Sequence, residues 1–438
     1  MTVVTPVWVW LPGQDEPTRA GEIVSSTGSR FTYQQEYLKT AGALALDPVE
    51  LRLSRSSRGT AIQGSDGLPG VIRDAKPSGY GEDRLKAIHG NNLDALQLLE
   101  LGVPDGVGAI EACHDIDRKL RWRPRDLGDL QQLTEALGLD EPSSRALRRL
   151  NDDLDTSAGG DRPKATLVDA GRLWLVKMQA RGDRQAMPAR EFVTMRLAEQ
   201  AGLNVAPVKL HTFGEHQVLM VQRFDRDGDP YKPTRKLYAS AQTVLRLRLD
   251  SVRGDPERSY LGLADRLRIW TNDGADDHRE RLRAQLAELW KRMAFHALVG
   301  NTDDHALNTG LLFDRVGDDA ARMAWGLSPA FDITPNMAAP PQNIEEGPQL
   351  SLATGTDGRS GTSVKRLVQA ADWMGLDRGD ATSWLHDTAT QIAQQWEPML
   401  RAAARPVTAD PARMARLVDD VRPSFAYSEW LARVRLAG

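Results

Sequence analysis

The feature that most constrains this chain is a long amphipathic run that ends abruptly in a polar cluster. Leu282, Leu286, Leu289, Met293 and Ala297 recur three or four residues apart, which predicts a helix from about Arg279 to Val299 with one buried face. Gly300 stops it, and Asn301-Thr302-Asp303-Asp304-His305-Ala306-Leu307-Asn308 follows directly. Two carboxylates, a His and an Asn thus fall within the six residues from Asp303 to Asn308, carried on the end of a rigid element. A further acid, Asp332, closes Ser328-Pro329-Ala330-Phe331-Asp332, downstream of a strand-like run, Gly310-Leu311-Leu312-Phe313.

Upstream, short apolar runs broken by turn residues predict strands. Val7 to Leu11, Gly21 to Val24, Arg30 to Tyr33 and Leu51 to Leu53 suit a meander or small barrel. Gly67 to Gly81 is dense in Gly and Pro and reads as mostly turns. Helices are expected around Leu93 to Leu101, Leu127 to Leu137 and Ser143 to Leu154. A polar Gly-containing stretch, Asp155 to Lys164, leads into Ala165 to Val168, a turn at Asp169-Ala170-Gly171, and Leu173 to Met178, which is a hairpin pattern. Pro188 then opens a helix, Ala189 to Ala201, closed by Gly202, and strands are expected at Pro207 to His211 and Gln217 to Gln222. Beyond Asp225 the chain reads as mainly helical, with Thr334 to Gly358 a loop and Trp373, Trp384, Trp396 and Trp430 as packing anchors.

The spacing of Asp303 and Asn308, D-x-x-x-x-N, is that of a protein-kinase catalytic loop. There the Asp receives or orients a hydroxyl proton and the Asn holds a metal. Asp332 stands where a second metal ligand belongs, and hard oxygen donors of this kind suit Mg2+. The same residues are consistent with a solvated acidic turn capped by Asn308. They also admit a His/Asp metal site for hydrolysis, drawing on Asp304, His305 and His296. Lys177 shares its strand face with Leu173 and Leu175, so an anion such as an ATP phosphate would justify its position, with Glu191 on the next helix as counter-charge. Alternatively Lys177 snorkels to water at the strand edge. Ser157 to Lys164 fits neither common phosphate-loop motif, yet Gly159 and Gly160 let backbone N–H groups approach a phosphate, and Lys164 adds charge. Gln222 to Phe224 reads equally as an adenine-facing hinge or a plain connection.

A net charge of −4 gives no general electrostatic reason for nucleic-acid binding. Cys113 is the sole cysteine, so no intrachain disulfide forms. No apolar run reaches membrane-spanning length, and Met1 to Pro6 lacks a secretory pattern, so the expected location is cytoplasmic.

Taken together, these blocks resemble the HipA-type serine/threonine kinases, the toxin half of bacterial toxin–antitoxin pairs. The resemblance is carried in order by Ser157-Ala158-Gly159-Gly160-Asp161-Arg162-Pro163-Lys164-Ala165, Leu175-Val176-Lys177, Glu191 with Leu197 to Val205, Val221 to Arg226, Gly300 to Asn308, and Leu327 to Ile333. Ile72 to Gly81 marks the family's small N-terminal β domain. The resemblance implies an α+β, bilobed kinase-like fold with a β-rich subdomain over 1–105, an N-lobe over 106–225 and a helical C-lobe over 226–438. It implies ATP and Mg2+ as cofactors, Asp303 as catalytic residue, and Asn308 and Asp332 as metal ligands. It places Ser157, Ala158, Gly159, Gly160, Lys164, Lys177, Gln222, Arg223, Phe224 and His305 at ATP, with Glu191 in a structural ion pair. Ser157 matches the serine that the family autophosphorylates, with Thr156 a rival acceptor; a phosphate there adds roughly two negative charges and would repel those of ATP.

The family implies a protein substrate, an aminoacyl-tRNA synthetase and in the best-known case glutamyl-tRNA synthetase, and hence a block on translation. It also implies a small HipB-like helix-turn-helix antitoxin that binds operator DNA. Two other functions remain: a kinase-like enzyme for a small-molecule or lipid acceptor, and a non-catalytic scaffold that bridges an antitoxin to DNA. The sequence departs from the family pattern at Ser78 and Tyr80, where Asp and Trp are expected, at Gln222, where a Glu is common, and at Asp304.

Overall fold

The computed structural model describes residues 2–26, 28–56, 58–64, 66–129, 164–179, 184–213, 216–317 and 319–434. The fold is mixed α and β and divides into two compact units. One comprises Met1–Ala180, Gln222–Leu249 and Leu312–Asp314; the other comprises Arg181–Val221, Asp250–Leu311 and Arg315–Gly438.

In the first unit, β1 (Val3–Trp10), β2 (Pro17–Ser25), β3 (Ser29–Tyr33), β4 (Thr60–Ala61) and β5 (Ile110–Ala112) form one sheet in the order β4-β3-β2-β1-β5. Its neighbouring strands are antiparallel. Along β1, Thr5, Val7 and Val9 are buried while Pro6 and Trp8 are half-buried, the period of two that a one-sided sheet imposes. The Leu51 to Leu53 strand does not form: Leu51 makes an isolated bridge with Asp47, and Arg52 to Arg55 are exposed. Leu51 O instead accepts the Tyr33 hydroxyl at 2.5 Å, and Leu53, the same-face residue two positions on, is left exposed. Gly67 to Gly81 is not all turns either. It contains α1 (Gly70–Arg73), where burial of Val71 and Ile72 outweighs the weak helix propensity of Gly70, and the start of α2 (Tyr80–His89). The helix expected near Leu93 is α3 (Ala95–Leu101), held by an Asp94/Gln97 capping box, and α4 (Ile116–Leu120) follows β5.

β6 (Arg125–Asp126) pairs in parallel with β7 (Lys164–Asp169), which forms the expected hairpin with β8 (Arg172–Met178). Ala170 and Gly171, both at positive φ (49° and 71°), close it as a two-residue turn whose twist matches the strands. Residues 130–163 lie outside the described residues. So do the Ser143 to Leu154 helix, most of the Leu127 to Leu137 helix, and Thr156, Ser157, Ala158, Gly159 and Gly160.

In the second unit, α5 (Met187–Gln200) has Pro188 in its first turn and ends before Gly202 at φ +79°. β9 (Val208–Phe213) and β10 (His216–Gln222) pair antiparallel. α6 (Tyr260–Trp270) and α7 (His278–Leu298) precede the polar cluster, and α8 (Val364–Trp373), α9 (Arg378–Ala404) and α10 (Pro411–Leu431) complete the unit. Trp396 is buried and stacks on Phe425, with ring centres 4.6 Å apart, as an anchor should. Trp384 and Trp430 are half-buried, whereas Trp373 is exposed because it falls off the α8 face that buries Leu367, Ala370 and Ala371. Among the described residues no helix is long and apolar enough to cross a membrane.

Candidate active site

The residues from Asn301 to Asn308, and Asp332, lie in the second unit. α7 ends at Leu298, and Gly300 turns the chain with φ +59°. A side chain there is excluded twice over, since an added Cβ would lie 2.5 Å from Ser424 O and 2.6 Å from Ser424 Cα. From this turn the loop is pinned at successive residues. Asn301 N donates to His296 O at 2.9 Å, and the Asn301 amide meets His296 Nδ1 at 2.8 Å. Thr302 N and Oγ1 both donate to Asn336 Oδ1, at 3.0 and 2.9 Å, while Asn336 N donates to Gly300 O at 3.2 Å. Asp304 is buried, accepting Ser351 N on Oδ1 at 2.5 Å and the Tyr260 hydroxyl on Oδ2 at 2.7 Å. Between these anchors Asp303 is exposed.

Asn308 closes the loop on itself. Its Nδ2 donates to Asp303 O at 3.0 Å, and its backbone N donates to His305 O at 2.8 Å. With the amide nitrogen committed, Oδ1 is the end of Asn308 suited to a cation. Asp332 is half-buried and adopts φ +59°, a left-handed conformation that a non-glycine residue holds at a cost of about 1–3 kcal/mol. Its segment is tied into the same unit: Ala206 N donates to Ala330 O, Ala330 N to Asn204 O, and Thr194 Oγ1 to Ile333 O. Thr194 lies on α5, one turn from the buried Glu191. Asn336, four residues past Asp332, is what joins that segment to the Asp303 loop.

The hydrolytic alternative loses its ligands. His296 is buried, and its ring is engaged by Asn301; burial, with Arg292 nearby, pushes its pKa down to about 3, so it stays neutral. Asp304 is taken by Tyr260 and Ser351. Among the described residues no group of three His, Cys, Asp or Glu side chains is placed to hold a metal. His305 is half-buried, and its Nδ1 is buried without a hydrogen-bond partner.

Of the residues assigned to the nucleotide, His305 lies in the second unit, and Lys164, Lys177, Gln222, Arg223 and Phe224 lie in the first. Lys164 and Lys177 are direct register partners across the β7–β8 hairpin, so both side chains leave the same face. Lys164 is buried and Lys177 half-buried. Like charges placed opposite each other in a sheet destabilise it, and an anion over the pair would reverse the sign. Phe224 is half-buried, its ring 6.1 Å from that of Tyr238, and Gln222 ends β10.

Arg223 has a different setting from the one expected. Its guanidinium donates to Asp105 O and Oδ1 (3.0 and 2.8 Å), to Gly106 O (3.2 Å) and to both Asp225 oxygens (2.8 and 2.7 Å), and its backbone N donates to Leu173 O at 2.9 Å. Its polar groups are therefore occupied within the protein. Arg226 adds bonds to Gly106 O, Gly108 O and Asp225 Oδ2, and Gly108 N donates to Asp225 Oδ2. Burial alone would raise the Asp225 carboxyl, but Arg223 and Arg226 outweigh it and hold that group well below the usual carboxylate range. Burial pushes Arg226 down to about 9 in spite of Asp225. The segment after β10 is thus welded to the Asp105 to Gly108 loop beside β5. No short motif announces the Asp105 to Gly108 side of this network, which lies more than a hundred residues from Arg223 to Arg226.

The family model of the HipA-like C-terminal domain matches residues 156–396. The Shewanella oneidensis HipA, in a crystal structure of HipA, HipB and operator DNA, covers 99% of this chain and 100% of its own, at 17% identity and a TM-score of 0.62, which establishes a common fold. A serine/threonine-protein kinase toxin HipA from the same organism is 52% identical over 40 residues, a stretch that spans only 9% of either protein. More than half of the chain falls within the family match, the fold agrees from end to end, and the chain belongs to the HipA-like family.

Proposed function

We propose that this chain is an ATP- and Mg2+-dependent serine/threonine protein kinase and the toxin of a toxin–antitoxin pair. The observation that carries the reading is the pinned loop: Asp303 is exposed between residues anchored on both sides, with its carbonyl clamped by Asn308 and with the Asp332 segment tied to it through Asn336. Phosphoryl transfer asks mainly for positioning and charge stabilisation, and a loop held this way supplies the first. Asp303 receives or orients the proton of the attacking hydroxyl. Asn308 Oδ1 and the Asp332 carboxylate are hard oxygen donors that fit Mg2+, which when bound neutralises phosphate charge. Lys164 and Lys177 draw the ATP phosphates to their shared face of the hairpin, and Glu191 belongs to a structural ion pair by family resemblance. Backbone at Ser157 to Gly160 contacts the phosphates, His305 belongs to the nucleotide site by family resemblance, and Gln222 and Phe224 border the adenine. Arg223, with its guanidinium fully engaged, serves by holding that border in place.

The exposure of Asp303 favours a protein acceptor over an enclosed small molecule. By family resemblance the acceptor is an aminoacyl-tRNA synthetase, and self-phosphorylation at Ser157 switches the enzyme off. The Shewanella oneidensis complex supports a HipB-like antitoxin as partner, with operator DNA reached through it. The test is ADP formation from Mg-ATP by the purified chain. Wild type is expected to form ADP until its own loop serine is phosphorylated, and the initial rate to fall by about 100-fold or more in Asp303→Asn. Equal rates would dismiss Asp303 from the chemistry, and no turnover by unphosphorylated wild type would leave the scaffold reading in its place.

A further inference from the structure

Asp304 follows the proposed catalytic carboxylate but has the opposite environment. It is 2% exposed, and its two oxygens are spent on two separate elements. The Tyr260 hydroxyl comes from the first residue of α6, and Ser351 N from the segment that follows Asp332. These two donors are themselves fixed to each other. Tyr260 N donates to Ala353 O at 3.0 Å, Ala353 N donates to Arg258 O at 2.7 Å, and Arg258 Nη2 donates to Ser351 Oγ at 3.1 Å. Asp304 therefore plugs into a preformed cradle. On the other side of Asp303, Thr302 is held by Asn336. No salt bridge joins Asp304 to a cation among the described residues; it is held by a phenol and backbone amides, and burial pushes its carboxyl up to about 6. An ionisable side chain kept in such a place is poor for stability, which points to a role in function.

We propose that Asp304 is a positioning residue, which aims Asp303 at the acceptor hydroxyl by locking the peptide after it to Tyr260 and Ser351. This rests on the kinase reading above. Releasing Asp304 removes the anchor on the far side of Asp303 and leaves the outside hold to Asn301 and Thr302, with Asn308 clamping only within the loop. A displacement of the reacting carboxylate by about 1 Å is enough to lower turnover on the order of 100-fold. The contacts need the shape of the side chain and not its charge. An Asn in this position still accepts Ser351 N on its oxygen and donates its amide to the Tyr260 oxygen. An Ala abandons both donors in a buried site.

The experiment measures phosphate incorporation into the full-length chain itself from labelled Mg-ATP, giving a maximal rate and a half-saturating ATP concentration for each variant. Asp304→Ala is expected to lose about 100-fold in maximal rate with half-saturating ATP changed by no more than about twofold. Asp304→Asn is expected to stay within about threefold of wild type, and Tyr260→Phe to fall between the two. Asp303→Asn is the inactive reference. Should Asp304→Ala fail to give a cooperative melt, the other two variants decide. An Asp304→Asn as inactive as Asp303→Asn overturns the proposal by giving Asp304 a chemical role, and wild-type rates in Tyr260→Phe overturn it by removing the cradle. An inactive but unmodified wild type would instead sink the kinase reading itself, an outcome distinct from all of these.

Discussion

Asp303 lies open to solvent while its neighbour Asp304 is sealed against Tyr260 and Ser351. The difference has a measurable consequence for stability. Burial raises the folded-state pKa of Asp304 to about 6, above its ordinary value. Its favourable contribution is therefore fully present below about pH 4 and is lost as pH rises through about 6. Asp304→Asn cannot ionise and escapes this loss. Urea unfolding at pH 4 and pH 7 should show the Asn variant gaining on wild type by up to roughly 3 kcal/mol over that interval. An unchanged difference would mean that the carboxylate is better solvated than its contacts indicate. That Asp303 and Asn308 meet in one loop was legible from their spacing alone. Asn336, Tyr260 and Ser351 were not, since each meets the loop from 34 to 47 residues away and carries no motif.

At the scale of elements, what the sequence made legible were those whose signal is local. The β7–β8 hairpin follows from an alternating run around Ala170-Gly171, and α7 from its apolar period and the glycine that ends it. Gly67 to Gly81 is largely non-helical as its composition implies, but α1 within it was not legible, because burial of Val71 and Ile72, a tertiary effect, outweighs a composition that disfavours helix. Leu51 to Leu53 failed for the reverse reason, as a tyrosine hydroxyl captured the backbone that a strand would have used. Gly300 was legible as a helix stop, but its second duty, the close approach to Ser424, was not. Gly300→Ala should therefore cost more than the left-handed backbone alone, about 2 kcal/mol or more by denaturant titration. It should also lower phosphate transfer, because the loop it launches is displaced. A variant with wild-type stability would show that the approach to Ser424 relaxes without penalty.

For the molecule as a whole, the HipA-like fold was legible as a sequence of blocks, while the buried charges that organise the first unit were not. Arg223, Asp225 and Arg226 join the segment after β10 to Asp105, Gly106 and Gly108, and removing one member strands the others in a dry interior. Asp225→Ala is expected to destabilise the chain by about 3–5 kcal/mol at pH 7. Because the Asp225 carboxyl is held below its ordinary range, its contribution persists at neutral pH and is lost only as pH falls through that lowered value. The gap between wild type and variant should thus close only in strong acid, and a gap that closes near pH 6 would contradict the network. The central claim, that this fold transfers phosphate through Asp303, is tested most directly by intact mass after incubation with ATP and Mg2+. Starting from protein verified as unphosphorylated, wild type should gain one phosphate that maps to Ser157, and Asp303→Asn should gain none. A wild-type mass that stays unchanged, or an Asp303→Asn variant that gains the same phosphate, would contradict the account.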